Sequence, residues 1–117
     1  MKQYSNIPFK HAAGHDLCAD FYIPEDVTNP PVILWIHGGG WKDLNRKWCL
    51  VMPQLERGYA ICSVDYRYSD EDIFPAQMLD LKDALLFVKE NGEKYGYDGL
   101  RFFVGDIAQY DGVDAVD

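Results

Sequence analysis

The sequence predicts an α/β fold: three layers, with helices packed on a mainly parallel sheet. Three observations carry that expectation. Val32-Ile33-Leu34-Trp35-Ile36 is an unbroken apolar stretch, and the runs at 59–64 and 100–104 are apolar apart from Ser63 and Arg101, the pattern of buried strands in a parallel sheet. Between them, apolar residues recur at spacings of three and four, the period of a helix. Strands that alternate with helices need right-handed crossovers, and these set successive strands parallel.

The elements follow in order. A first strand at 17–23 stops at Pro24, and a turn cluster ending in Asn29-Pro30-Pro31 separates it from the next. This first strand is the one expected to pair antiparallel, at an edge. The second strand, 32–37, runs into three glycines. A helix is expected at about 45–57, where Trp48, Val51, Met52 and Leu55 share a face. Arg57-Gly58 supplies its C-terminal cation and glycine stop, and Pro53 kinks it or divides it in two. The third strand covers 60–66, and the acidic Asp70-Glu71-Asp72 reads as a loop. Pro75 suits the first turn of a second helix, 76–94, with Met78, Leu81, Leu85 and Val88 as its apolar stripe and Asp80, Lys82, Asp83 and Lys89 elsewhere. Tyr95-Gly96-Tyr97-Asp98-Gly99 ends that helix, and 100–104 is the fourth strand.

Charge and cysteine usage narrow the function classes. Lys and Arg number 11 against 19 Asp and Glu, a net charge of −8. Such a chain lacks the positive field that phosphate backbones and anionic lipid surfaces attract, so no nucleic acid partner is expected. Cys18, Cys49 and Cys62 form no CxxC pair, and an odd, sparse count fits a reducing compartment rather than a disulfide framework. Met1-Lys2-Gln3-Tyr4-Ser5-Asn6 has no apolar run behind its lysine and does not read as a signal peptide. The longest apolar run, 32–36, is too short to span a bilayer, so the expected location is the cytoplasm.

One loop carries chemistry. His37-Gly38-Gly39-Gly40-Trp41 sits at the C-terminal end of a strand expected to be parallel, where ligands bind in open α/β sheets. Successive glycines let backbone N–H groups face a cavity, a donor set suited to an anion or a developing oxyanion. Three bare glycines would equally suit a plain turn, so the neighbours decide. The block 32–41 resembles the signature of the esterase/lipase branch of the α/β-hydrolases, which includes hormone-sensitive-lipase-like and feruloyl- or acetylxylan-esterase-like enzymes. Further matches follow in register: Arg57-Gly58-Tyr59-Ala60 leading to Asp65-Tyr66-Arg67-Tyr68-Ser69, then Phe74-Pro75-Ala76-Gln77 with Asp80 and Lys82, then Lys94-Tyr95-Gly96-Tyr97-Asp98. The resemblance covers about 14–106.

The resemblance implies a truncated α/β-hydrolase fold, with residues 1–117 as a single partial domain, and a family activity of carboxylic ester hydrolysis on a small-molecule ester. Backbone N–H groups of Gly38, Gly39, Gly40 and Trp41 would form the oxyanion hole. His37 would hold the loop rather than act as base, and Asp65, Tyr66 and Arg67 would pack and hydrogen-bond beneath it. Trp41 is placed to line a substrate pocket. No cofactor and no metal is implied.

The nucleophile is missing from this pattern. The family has a serine on a G-x-S-x-G elbow after the fourth strand. This chain reads Gly105-Asp106-Ile107-Ala108-Gln109-Tyr110 there, which puts Ile107 or Ala108, depending on alignment, where serine belongs. Neither can attack a carbonyl. The serines are Ser5, Ser63 and Ser69, and none has elbow spacing. The family's acid and histidine lie beyond 117, so the chain alone is expected to be inactive.

Other constellations are weaker. His11 and His15 are four apart beside Asp16, but Ala12-Ala13-Gly14 does not read as the helix a zinc pair would need. Cys49 and Cys62 read as core thiols, and Asp70-Glu71-Asp72 as a solvated loop rather than a calcium site. The glycines fit neither G-x-G-x-x-G nor a P-loop. The rival to an ester hydrolase is a non-catalytic fragment, or a module that uses the glycine loop to cradle an anion or small molecule. A sheet cut short would expose an apolar edge, so self-association is also expected.

Overall fold

The structure, a computed structural model, describes residues 1–37, 46, 49, 51–67 and 75–106. Five strands, β1 (Lys2–Ala12), β2 (His15–Ile23), β3 (Pro31–Ile36), β4 (Ala60–Val64) and β5 (Asp98–Asp106), form one sheet of order β1-β2-β4-β3-β5. β3 pairs parallel with both β4 and β5, while β2 pairs antiparallel with both β1 and β4. The expected mainly parallel sheet is therefore mixed among the described strands. The difference comes from β1, which the sequence reading omits, and which displaces β2 from the edge to the interior.

β1 escapes sequence reading for physical reasons. Only Tyr4, Ile7 and Phe9 pack against the core, and most of their neighbours are exposed. Register shifts between Tyr4 and Ile7 and between Pro8 and Lys10 break the alternation. The β1–β2 turn has Ala13 at φ 52° and Gly14 at φ 80°. Tight hairpin turns of this kind favour Asn-Gly or Asp-Gly, and alanine gives no such signal.

Each face of the sheet carries its own apolar cluster. Ala19, Phe21, Val32, Leu34, Cys62 and Val64 face α1 (Ala76–Glu90) and α2 (Gly92–Tyr95), with Ala84, Val88, Tyr95 and Tyr97. Phe21 stacks on Tyr95 at 4.5 Å and on Tyr97 at 5.5 Å between ring centroids. On the other face Tyr22, Trp35 and Ile61 meet Val51, with Cys49, Met52 and Leu55 alongside.

The helices differ from expectation in three ways. The described part of 45–57 is a short 3-10 helix, Met52–Arg57, with Pro53 in its first turn and Gly58 at φ 90° closing it. Residues 45, 47, 48 and 50 lie outside the described set. The span 76–94 is not one helix: α1 ends at Asn91, whose Nδ2 donates to the Phe87 carbonyl at 2.7 Å. Gly92 then passes so close to β5 that a Cβ there would lie 2.5 Å from the Tyr97 carbonyl oxygen. Finally, the buried face of α1 is Ala76, Gln77, Asp80, Ala84 and Val88, whereas Met78 is 51% exposed. Asp80, expected outside the packed face, is fully buried.

Among the described residues, the sheet is thinly covered beyond α1. Leu34, Ile36, Leu81, Leu85 and Val104 line an open apolar groove of about 290 Å³. The fourth strand is not buried as expected: Leu100, Phe103 and Val104 on β5 are exposed, because β3 is the one strand that pairs with β5 among the described residues.

Candidate functional site

The site is built where parallel strands β3 and β4 end. β3 delivers His37, which is buried, with 2% of its surface exposed. Three residues follow β4, Asp65, Tyr66 and Arg67, and each takes a separate anchoring task. Tyr66 Oη donates to the His37 carbonyl at 3.0 Å, and the two rings stack with centroids 4.4 Å apart and planes 12° from parallel. A fixed carbonyl and a fixed ring together define the direction in which the chain leaves β3.

Arg67 turns the other way. Its N–H donates to Asp80 Oδ2 at 2.7 Å, and its guanidinium grips the same carboxylate through Nε (3.0 Å) and Nη2 (2.9 Å). Lys10 Nζ, from β1, reaches Asp80 at 2.8 Å and Asp83 at 2.8 Å. Burial by itself would raise the Asp80 pKa, but the hydrogen bonds from Arg67 and Lys10 outweigh it and hold the carboxyl below its ordinary value.

Asp65 closes a second ion network. Its backbone N–H donates to the Cys18 carbonyl at 3.0 Å, and its carboxylate accepts from the Cys18 N–H at 3.3 Å and from Arg46. Arg46 Nε also donates to Asp20 Oδ1 at 2.9 Å. Asp20 is fully buried, and so is Ser63, whose Oγ donates to the Arg46 carbonyl at 2.6 Å. Ser63 is thus a ladder residue spent on holding Arg46.

Of the residues singled out from sequence, His37 and Tyr66 are brought together, Asp65 reaches Arg46, and Arg67 goes to Asp80. Gly38, Gly39, Gly40 and Trp41 lie outside the described residues, as do Ile107 and Ala108, Ser69 and the acidic run Asp70-Glu71-Asp72. His11 and His15 close the exposed hairpin, where His11 Nδ1 lies 2.9 Å from Asp16 Oδ1. No group of three potential metal ligands converges among the described residues. Burial pushes the Cys49 thiol up to about 11 and that of Cys62 well above the usual range, so neither is a ready nucleophile. Sequence reading missed Arg46, Asp20 and Lys10. Their partners are remote in the chain, and nothing local distinguishes them from surface charges.

Comparison with known proteins follows the same lines. Residues 19–106 match the family model described as BD-FAE. The chain belongs to the BD-FAE family of α/β-hydrolases. The BD-FAE match begins inside β2, so β1 lies outside it. An AB hydrolase superfamily protein of Schizosaccharomyces pombe is 36% identical over 78 residues, covering 64% of this chain and 23% of its own length. Esterase LipQ of Mycobacterium tuberculosis is 28% identical over 102 residues, covering 82% of this chain and 24% of its own length. Among solved structures, a truncated form of a carbohydrate esterase from gut microbiota superposes with a TM-score of 0.80 at 29% identity, covering 91% of this chain and 39% of that one. The chain therefore has the α/β-hydrolase fold over the part it covers and spans about a quarter of the length of these two curated relatives.

Proposed function

We propose that this chain carries the oxyanion-stabilising part of a carboxylic ester hydrolase acting on a small-molecule ester. The observation that carries the reading is the Tyr66–His37 pair, which anchors the residue just before Gly38 at the C-terminal end of a parallel strand. Backbone N–H groups of Gly38, Gly39, Gly40 and Trp41 would donate to the oxygen that becomes negative as an ester carbonyl turns tetrahedral. Donors held in advance need no reorganisation at that moment, which is why anchoring the loop base matters. Residues 1–117 are taken as one partial domain, with α1 and α2 on one side of the sheet and the Met52–Arg57 helix on the other as its outer layers. The three free thiols fit a reducing compartment, and we place the chain in the cytoplasm. Among the described residues no helix is long and apolar enough to cross a membrane.

With Ile107 or Ala108 at the sequence position where the family has its serine, the chain would form no acyl-enzyme. Loss of triad members from a serine protease leaves about 10³–10⁴-fold catalysis over water, and this sets an upper bound for the chain alone. A fluorophosphonate probe is expected to leave the chain unlabelled. Titration with methylphosphonate, an oxyanion mimic, is expected to shift the amide resonances of Gly38 to Trp41 in a ¹⁵N-labelled sample. Stoichiometric probe labelling would overturn the missing nucleophile, and unmoved amides would overturn the oxyanion reading.

Self-association through β5 is the second part of the proposal. Leu100, at 83% exposure, and Phe103, at 55%, lie on a strand with an open edge. Sedimentation velocity is expected to show concentration-dependent association that Phe103→Lys weakens. A single monomer boundary at all concentrations would remove this part.

A further inference from the structure

Arg46 is the first described residue after His37, and it is held on every side. Its guanidinium donates to Asp20 Oδ1, to Asp65 Oδ2 and to Asn6 Oδ1. Its backbone N–H points at Asp65 Oδ1, 3.4 Å away, and its carbonyl accepts the Ser63 hydroxyl at 2.6 Å. Asp20 and Ser63 are direct register partners across β2 and β4, so their side chains share one face of the sheet. These anchors come from three strands, one of which lies outside the family match.

Asn6 is the unexpected member. It sits at φ 60°, in the left-handed region, at the register shift in β1. Asparagine tolerates that conformation better than most residues, although it still carries strain. The bulge turns its backbone N–H onto Asp20 Oδ1 at 2.8 Å and its side-chain oxygen onto Arg46. One strained residue therefore supports both the carboxylate and the cation of the same buried pair. Arg46 is well suited to the role, because a guanidinium presents several donors in a rigid fork and a lysine would reach only one or two of these acceptors.

We infer that Asn6 and Arg46 are positioning residues, which fix the chain at 46, C-terminal to the glycine block in sequence, as Tyr66 fixes it at 37, N-terminal to that block. The importance of this anchor for an oxyanion site rests on the function proposed above; the anchor itself does not. Loop ends that are pinned on both sides leave less conformational freedom to the segment between them. Asn6 lies outside the residues that match the family, 19–106, so family membership does not supply this contact.

Hydrogen exchange read by mass spectrometry on the full chain tests the inference. Asn6→Gly keeps the left-handed backbone open to residue 6 but removes the side-chain oxygen, and Arg46→Lys keeps the charge but loses the fork. Both are expected to speed exchange in 38–45 by about tenfold or more, the scale of one lost charge-assisted hydrogen bond. Exchange in β4 should stay as in the parent chain. Arg101→Ala, which breaks the exposed ion pair with Asp98 on β5 and no part of the network, should leave 38–45 unchanged. Unchanged exchange at 38–45 in Asn6→Gly would overturn the inference. So would a rise spread evenly over β4 and α1, since that is the mark of a merely structural role. The measurement needs no ligand. A failed methylphosphonate titration therefore leaves it standing, and a successful one does not rescue it.

Discussion

Replacing Asp80 with alanine is expected to remove about 3 kcal/mol of stability, at the lower end of the range for breaking a buried ion pair. The Asp80 side chain is completely buried, while Arg67 and Lys10 retain 14% and 21% exposure, which moderates the loss. What remains after the substitution is a largely buried guanidinium that has lost its bonds to Asp80, beside a lysine whose ion pair is then with Asp83. Against a typical domain stability of about 5–15 kcal/mol this is a large fraction, and a urea midpoint measured with and without the substitution reads it directly. Asp80→Asn should cost less, because the amide oxygen still accepts a hydrogen bond.

The same residue sets a pH dependence. The folded Asp80 pKa lies below its ordinary value of 3.8, so the folded state binds fewer protons than the unfolded chain around that pH. The stabilisation is complete above the ordinary carboxylate pKa and is lost as pH falls through the depressed folded one. The acid limb of the stability curve should therefore be steeper in the parent chain than in Asp80→Asn. Equal limbs would show that Asp80 is not the group responsible.

Phe21→Ala carries the other large effect, about 3–5 kcal/mol. Phe21 has no exposed surface and touches Tyr95, Tyr97 and Phe87, whose centroids lie 4.5, 5.5 and 6.0 Å away. Tyr97 is itself pinned by its hydroxyl to the Val88 carbonyl at 2.6 Å, so these rings cannot collapse into the space left behind. The expected result is a lowered melting temperature together with loss of near-ultraviolet aromatic signal, as α2 and the start of β5 come free of the sheet. Phe21→Leu keeps most of the volume and should cost roughly half as much or less. A melting temperature unchanged in Phe21→Ala would mean that the aromatic cluster does not hold these elements together.

Which of these features the sequence discloses depends on how far each signal reaches along the chain. β3 and β4 are legible because both faces are buried, so β3 shows as an unbroken apolar run and β4 as one interrupted by Ser63 alone. The glycine block is legible because it follows such a run directly. Asp80 is not: an acidic residue beside an apolar stripe reads as a surface charge. Only the arrival of Arg67 from after β4 and Lys10 from β1 makes its burial tolerable. The break at Asn91 is equally hidden. It depends on the close approach of Gly92 to the backbone at Tyr97 and Gly99, a matter of where β5 passes.

By itself, then, the sequence determined the α/β class, the central strands and the family resemblance through His37 and its glycines, all features written in short contiguous stretches. The tertiary structure alone decided that β1 joins the sheet and moves β2 inward, and that two ion networks clamp the chain just after β4. Arg46 finds Asn6, Asp20 and Asp65 at separations of 40, 26 and 19 residues. A contact over such distances leaves no local pattern, because it is set by which strands the fold lays side by side and not by the residues that flank it in the chain.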